Sequence, residues 1–368
     1  MAVGTDGRVD YLDGIRAVAI AAVLALHWFS WYVPLFHGGS IGVDLFFVLS
    51  GFIITTVLWR APTDWSAWGA FLRRRVVRLY PALLGLVVGA VVLYAVVPTA
   101  PVDAVEVARR GVLALTQTSS LWAAGQDGSL WLPGLQPFGQ TWSLAVEWGF
   151  YLLWPGCVIG ARRAGWSARR LAAVALVVAA VAYAASLPLG AFWFYFGPAD
   201  RSAELLVGAA LALWTLDRPA TTTRSELPAV LALVAVAAYA LLAPDALSPV
   251  YRYLGVPLAV VAAVVLIRTG YAGGRGPVTR LLGHPWLATT GRHSYSLYLW
   301  HVVPFLLLEE APGPKPLLGL AAVASAIGLT VLSYRYLERP FLRPRGDLLR
   351  PRTEPVRPTP ARPASPAA

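Results

Sequence analysis

Residues 171–187 read Leu-Ala-Ala-Val-Ala-Leu-Val-Val-Ala-Ala-Val-Ala-Tyr-Ala-Ala-Ser-Leu, and residues 227–243 read Leu-Pro-Ala-Val-Leu-Ala-Leu-Val-Ala-Val-Ala-Ala-Tyr-Ala-Leu-Leu-Ala. A helix on the surface of a soluble protein keeps a polar stripe; these two runs are apolar on every face, as a buried or lipid-facing helix is. Working outward, the same texture recurs along a chain of 368 residues that is 57% hydrophobic and 13% charged. So many apolar runs do not fit inside one soluble core. The reading is an all-α, polytopic membrane bundle of about ten transmembrane helices, at 12–33, 41–59, 77–97, 141–160, 171–187, 203–217, 227–243, 253–268, 286–308 and 317–337. A helix rises about 1.5 Å per residue, so each is near the length that crosses about 30 Å of hydrocarbon, the sixth and eighth being short.

The basic residues fix an orientation. With ten spans, Arg60, Arg73, Arg74, Arg75 and Arg78 fall on one side, with Arg162, Arg163, Arg169, Arg170, Arg218, Arg224, Arg268, Arg275 and Arg280. The other side holds Arg109, Arg110, Arg201, Arg252 and Lys315. Because basic loops stay in the cytoplasm, both termini are expected there. The net charge of +11 then reflects topology and does not indicate nucleic acid. Lys315 is the one lysine and Asn is absent, a pattern of high-GC coding. The single cysteine, Cys157, excludes an internal disulfide framework and a multi-cysteine metal site, and no metal is expected. The first apolar run is span-length and carries Arg16 and His27, so it reads as a span and not a cleaved signal peptide. Residues 1–342 form the membrane domain, and the Pro- and Arg-rich stretch 343–368 is expected to be a disordered cytoplasmic tail touching anionic lipid. Within 98–140, Val105–Trp122 suits an amphipathic or re-entrant helix.

Ionisable residues inside a membrane are costly and therefore mark function. Arg16 and His27 are eleven positions apart; at 100° per residue they return to within about 20° of one face, about 16 Å apart along the axis. His27 has the side chain suited to proton transfer near neutrality. Asp44 opens the second span, where the helix dipole favours a carboxylate, as a cap or as part of a site. Ser50 and Gly51 permit close helix approach. Arg73, Arg75 and Arg78 are either a topology signal or a grip on phosphates. Glu147 sits in an apolar run and must face protein or water. Arg201 and Glu204 are an i,i+3 pair. Tyr295, Tyr298 and His301 share one broad face of the ninth span. Gly38-Gly39-Ser40-Ile41-Gly42 fits G-x-S-x-G, but that motif makes a nucleophile only on a strand-to-helix elbow, so Ser40 is not read as one.

Taken together, Tyr11 to Arg16 with His27, Gly42 to Phe52, Phe71 to Pro81, Trp142 to Tyr151, Arg201 to Gly208 and Ser294 to His301 resemble the acyltransferase 3 family of membrane O-acyltransferases, in the family's order. The resemblance implies transfer of an acyl group, usually acetyl, from cytosolic acyl-CoA to a hydroxyl of a sugar, glycolipid or glycosylated metabolite. On this resemblance no bound cofactor is expected, and acyl-CoA is the expected co-substrate. It casts His27 as base or acyl relay, with Asp44 and Glu147 as further catalytic candidates and Asp44 orienting His27. Arg16, Arg73, Arg75 and Arg78 become the acyl-CoA-binding candidates. Ser50, Arg201, Glu204, Tyr298 and His301 are acceptor-side or structural. Where the family often has two adjacent glutamates, this chain has Glu147 followed by Trp148. The chain ends after the tenth span, so transfer is expected to be completed in the bundle or with a partner. A secondary transporter or flippase is the alternative, and a dependence on CoA separates the two.

Overall fold

The computed structural model describes residues 9–30, 32–97, 100–216, 225–309 and 311–342. The tail 343–368, Arg218 and Arg224 lie outside them. Among the described residues the chain is all-helical with no strand. In order, the helices are α1 (Asp10–Phe29), α2 (Ile41–Arg60), α3 (Ser66–Val96), α4 (Ala104–Leu115), α5 (Ser119–Ala124), α6 (Trp142–Arg163), α7 (Ala168–Ser186) and α8 (Ala191–Phe196). There follow α9 (Pro198–Thr215), α10 (Leu227–Leu242), α11 (Val256–Tyr271), α12 (Pro277–Leu282), α13 (Pro285–Trp300), α14 (Val303–Leu308) and α15 (Lys315–Ser333).

A helix stands at each of the ten expected spans. Seven are long and apolar enough to cross a membrane: α1, α2, α3, α6, α7, α11 and α15, some with a flanking 3₁₀ or π turn. The other three fall short for separate reasons. Helix α9 has the length but carries Asp200, Arg201 and Glu204 in its first two turns. Helix α10 is apolar but has 16 residues. Helix α13 also has 16 residues, including Arg292 and His293, and breaks after Trp300 before α14 resumes. The segment read as amphipathic is two helices, α4 and α5, and Asp103 caps the first by accepting from the Glu106 N–H.

Large apolar side chains such as Leu153, Val177, Leu242, Val261 and Leu320 point outward, as suits a bundle solvated by lipid tails. The buried face is different. Without a hydrophobic drive between helices in lipid, close packing of small residues holds a bundle together. The most extensive helix contacts are α2 with α9, α7 with α9 and α1 with α13. At the α2–α9 crossing a Cβ on Gly51 would overlap the Leu205 carbonyl oxygen, and one on Gly208 would overlap that of Val48. These two glycines set the separation of the helices, as the sequence reading of Ser50-Gly51 anticipates for Gly51.

Gly208→Ala is expected to lower the melting temperature of the detergent-purified protein, by an overpacking cost of about 1–3 kcal/mol. Gly160→Ala on α6, where a Cβ meets nothing within 4 Å, is expected to leave it unchanged or raise it, since Ala is the better helix former by about 1 kcal/mol.

Candidate active site

Helix α9 brings Arg201 into the interior with no exposed side-chain surface. A buried guanidinium needs carboxylates and hydrogen bonds around it. Its Nη1 donates to Asp44 Oδ1 on α2 at 2.5 Å and to the Tyr251 hydroxyl at 2.9 Å, and lies 3.0 Å from Glu204 Oε1. Its Nη2 pairs with Asp200. The Tyr251 hydroxyl also donates to Asp44 Oδ1 at 2.6 Å. One cation thus joins α2, α9 and the π turn Tyr251–Gly255 that opens α11. Asp44 is therefore a partner of Arg201 and Tyr251; its contacts do not include the orienting role toward His27 that the resemblance suggests. Arg201 and Glu204 stand together as the i,i+3 spacing implies.

Beside this cluster a run of three cavities passes along the inner face of α1. The first, about 90 Å³, is lined by Arg16, Ser50, Arg75, Arg78, Glu147 and Tyr151 among others. Arg75 is buried, with its guanidinium 4.9 Å from the Phe71 ring centre and 5.0 Å from that of Tyr151. Tyr151 donates its hydroxyl to Glu147 Oε2 at 2.7 Å. Arg16 lies 3.9 Å from Asp13. Arg73 is exposed and does not line this cavity. Its place two residues before Arg75 puts it about 200° around the helix.

The second cavity is a chamber of about 40 Å³, lined by His27, Ser40, Trp131, Gln136, Gln140, Trp142 and others. Tyr298 and Val43 line both it and the first. Tyr298 is locked there: its hydroxyl donates to the Gln140 carbonyl at 2.8 Å and meets Ser143 Oγ at 2.8 Å. The third cavity, about 590 Å³, is lined by His27, Tyr32, Ser129, Trp131, Gln136, His301, Phe305, Glu309 and Lys315 among others. His27, Trp131, Gln136 and Val302 line the chamber and the third cavity alike.

The two histidines face each other with ring centres 4.7 Å apart, and Trp131 stands edge-on to His27 at 5.1 Å. Each ring is held by its own helix: His27 Nδ1 is 2.8 Å from the Val23 carbonyl, and His301 Nδ1 is 2.7 Å from that of Tyr298. A carbonyl only accepts, so each Nδ1 carries a proton. In the neutral ring Nε2 then keeps the lone pair, the arrangement a general base requires. Trp28 Nε1 donates to the His301 carbonyl at 3.1 Å, tying the end of α13 to α1.

The structure gathers Arg16, Ser50, Arg75, Arg78 and Glu147 at one cavity, His27 at the next two and His301 at the third, with Tyr298 between the first and second. It sets Asp44, Arg201 and Glu204 apart in a buried ionic cluster and leaves Arg73 outside. Sequence reasoning missed Asp200, Tyr251, Trp131, Gln136 and Gln140. Asp200 adjoins the quoted Arg201 motif, and Gln140 lies two residues before the quoted Trp142 segment; Trp131 and Gln136 lie in the irregular stretch 125–138, where no periodicity marks a face.

These features define a multi-pass membrane protein with a polar interior built around histidine and arginine. The family model described as an acyltransferase domain, Acyl_transf_3, matches residues 9–335, and the chain belongs to that family. It is 32% identical over 357 residues to the putative peptidoglycan O-acetyltransferase YrhL of Bacillus subtilis, covering 90% of this chain and 54% of that one. It is 28% identical over 366 residues to the peptidoglycan O-acetyltransferase OatA of Listeria monocytogenes, with 90% and 56% covered. The chain thus spans about half the length of the curated relatives it matches. No solved structure matches it.

Arg201→Ala leaves three buried carboxylates without their cation, and is expected to destabilise the protein by about 3–5 kcal/mol. Tyr251→Phe removes hydrogen bonds but no charge and is expected to cost about 1–3 kcal/mol. Thermal denaturation of the purified variants in detergent checks the order.

Proposed function

We propose that the protein is a membrane O-acyltransferase that takes an acetyl group from cytosolic acetyl-CoA and places it on a hydroxyl of a sugar, in a cell-wall glycan, a glycolipid or a glycosylated metabolite. The observation that carries this reading is the position of His27. It lies between a cavity walled by Arg16, Arg75 and Arg78 and a wide cavity walled by aromatic and polar side chains. The names of the relatives support acetyl as the group and a wall sugar as the acceptor.

In this reading ten helices cross the membrane, α9, α10 and α13 among them, with both termini in the cytosol. The positive-inside rule then makes the arginine-walled cavity the cytosolic one. Guanidinium groups suit the phosphates of CoA, which they grip through paired hydrogen bonds. The pantetheine arm runs toward Tyr298 and presents the thioester in the chamber. His27 Nε2 takes the proton of the acceptor hydroxyl, whose oxygen attacks the thioester carbonyl carbon. The carbon–sulfur bond breaks, and the CoA thiolate takes the proton back from the imidazolium. His301 stands beside His27 and shapes the acceptor side, while Trp131, Tyr32 and Phe305 offer ring faces to a sugar. Glu147, on the cytosolic side, accepts from Tyr151 beside the arginine cluster.

Purified protein in nanodiscs is expected to bind acetyl-CoA and release free thiol. His27→Ala should bind acetyl-CoA normally and lose turnover by about 10²–10⁴-fold, the usual worth of a general base. Arg75→Ala with Arg78→Ala should lose binding. Wild-type protein that neither binds nor consumes acetyl-CoA would sink the reading and favour a transporter.

The chamber also sets an acyl-chain expectation. At about 40 Å³ it is the smallest of the three cavities described and suits a short acyl group better than a long one. Turnover is expected to fall from acetyl- to propionyl- to butyryl-CoA with little change in binding, read by thiol release for each donor.

A further inference from the structure

Ser40 belongs to the one motif quoted from the sequence that the functional reading leaves unused. It ends the 3₁₀ turn His37–Ser40 that leads into α2. The glycines around it have a steric purpose. A Cβ on Gly39 would overlap the Ala22 carbonyl oxygen, and one on Gly42 would overlap that of Ala19. Both carbonyls belong to α1, within about two turns of His27. The turn is thus pressed onto the helix that carries the histidine, and Ser40 is fixed relative to it.

Ser40 is 1% exposed, its hydroxyl has no hydrogen-bond partner among the described residues, and it lines the same 40 Å³ chamber as His27. A buried hydroxyl without a partner costs stability of about 1–3 kcal/mol, so its presence asks for another reason. Two other unpartnered buried atoms line the chamber, Gln136 Oε1 and Gln140 Oε1. Amide oxygens only accept; of the three, Ser40 alone has a hydrogen to donate.

Resting on the acyl-transfer reading, we propose that Ser40 is a catalytic residue whose O–H donates to the carbonyl oxygen of the acyl group as it is attacked. When the acceptor oxygen bonds to the carbonyl carbon, the π electron pair moves onto the carbonyl oxygen and the Ser40 hydrogen bond shortens against the new negative charge. When the pair returns, the carbon–sulfur bond breaks and the thiolate leaves with the proton held by His27. Ser40 begins and ends as a neutral hydroxyl. It is not the nucleophile: an activated serine is hydrogen-bonded to its base, and Ser40 Oγ has no such bond. A donor aimed at developing charge in a dry site is worth about 10²–10³ in kcat.

The test uses the full chain in nanodiscs, with acetyl-CoA as donor and a β-1,4-linked N-acetylglucosamine tetramer, or water, as acceptor. Ser40→Ala is expected to lower kcat about 10²–10³-fold, leave the acetyl-CoA Kd within about twofold, and hold or raise the melting temperature, because an unpaired buried hydroxyl is gone. Ser40→Cys, a weaker donor, should fall between. Loss of activity with gained stability is a pattern that a merely structural serine does not give. The proposal is overturned if active wild type and Ser40→Ala share kcat within about threefold, if Ser40→Ala loses stability and binding together, or if an acetyl adduct forms on Ser40 of wild type. A wild type that ignores acetyl-CoA overturns the acyltransferase reading itself, and this proposal with it.

Discussion

A backbone in hydrocarbon has no water to satisfy its N–H and C=O groups, so it satisfies them within a helix or around a closed barrel, and this chain takes the helix. That constraint accounts for the helical build of the described residues, and the cost of polar groups in lipid accounts for the inward placement of those within the bundle. With the outer faces given over to Leu, Val and Ala, charge and hydrogen-bonding capacity are driven inward. There they are either neutralised locally or left facing a cavity. Arg201 with Asp44, Asp200, Glu204 and Tyr251 is the first outcome. Arg16, Arg75 and Arg78 around their cavity are the second.

The two outcomes serve each other. Breaking the ionic cluster would remove one tie between α2 and α9, and α2 supplies Ser40, Val43, Phe46 and Ser50 to the walls of the chamber or the arginine-lined cavity, directly or through the turn at its start. Helix α1 is the other shared wall. It carries Arg16 at one end and His27 at the other, and α13 lies along it with Tyr298 and His301. The site is consequently spread over elements distant in sequence but rigid with respect to each other, which suits chemistry that depends on small positional tolerances.

Much of this was legible in the residues. The apolar runs mark a helix at each expected span, because lipid imposes one period, but α3 begins eleven residues before its run and the ninth run is broken into α13 and α14. The eleven-residue spacing of Arg16 and His27 suggests that both look into one interior cavity; they lie at different cavities along α1, with Tyr298 between. What was not legible depends on contacts across the fold. Asp44 and Arg201 are 157 positions apart, and nothing local distinguishes a capping carboxylate from the partner of a buried guanidinium. The run Arg73-Arg74-Arg75 looks uniform in sequence, but the helical turn buries Arg75 and exposes its two neighbours. Trp131 and Gln136 belong to irregular chain, where the direction of a side chain follows from the turns and not from a period. Ser40 was set aside because the strand-to-helix elbow is absent; its burial beside His27 is a tertiary fact.

Tyr298, braced by Ser143 and Gln140, separates the arginine-lined cavity from the chamber. A membrane stores energy as ion gradients, and a column of water running through a protein would discharge them. A bundle hollow from both sides therefore needs a septum, and a hydrogen-bonded tyrosine is one that can give way to a slender organic chain. Such a chain would fill the gap it opens, so that passage of a group across the barrier need never coincide with a leak of protons.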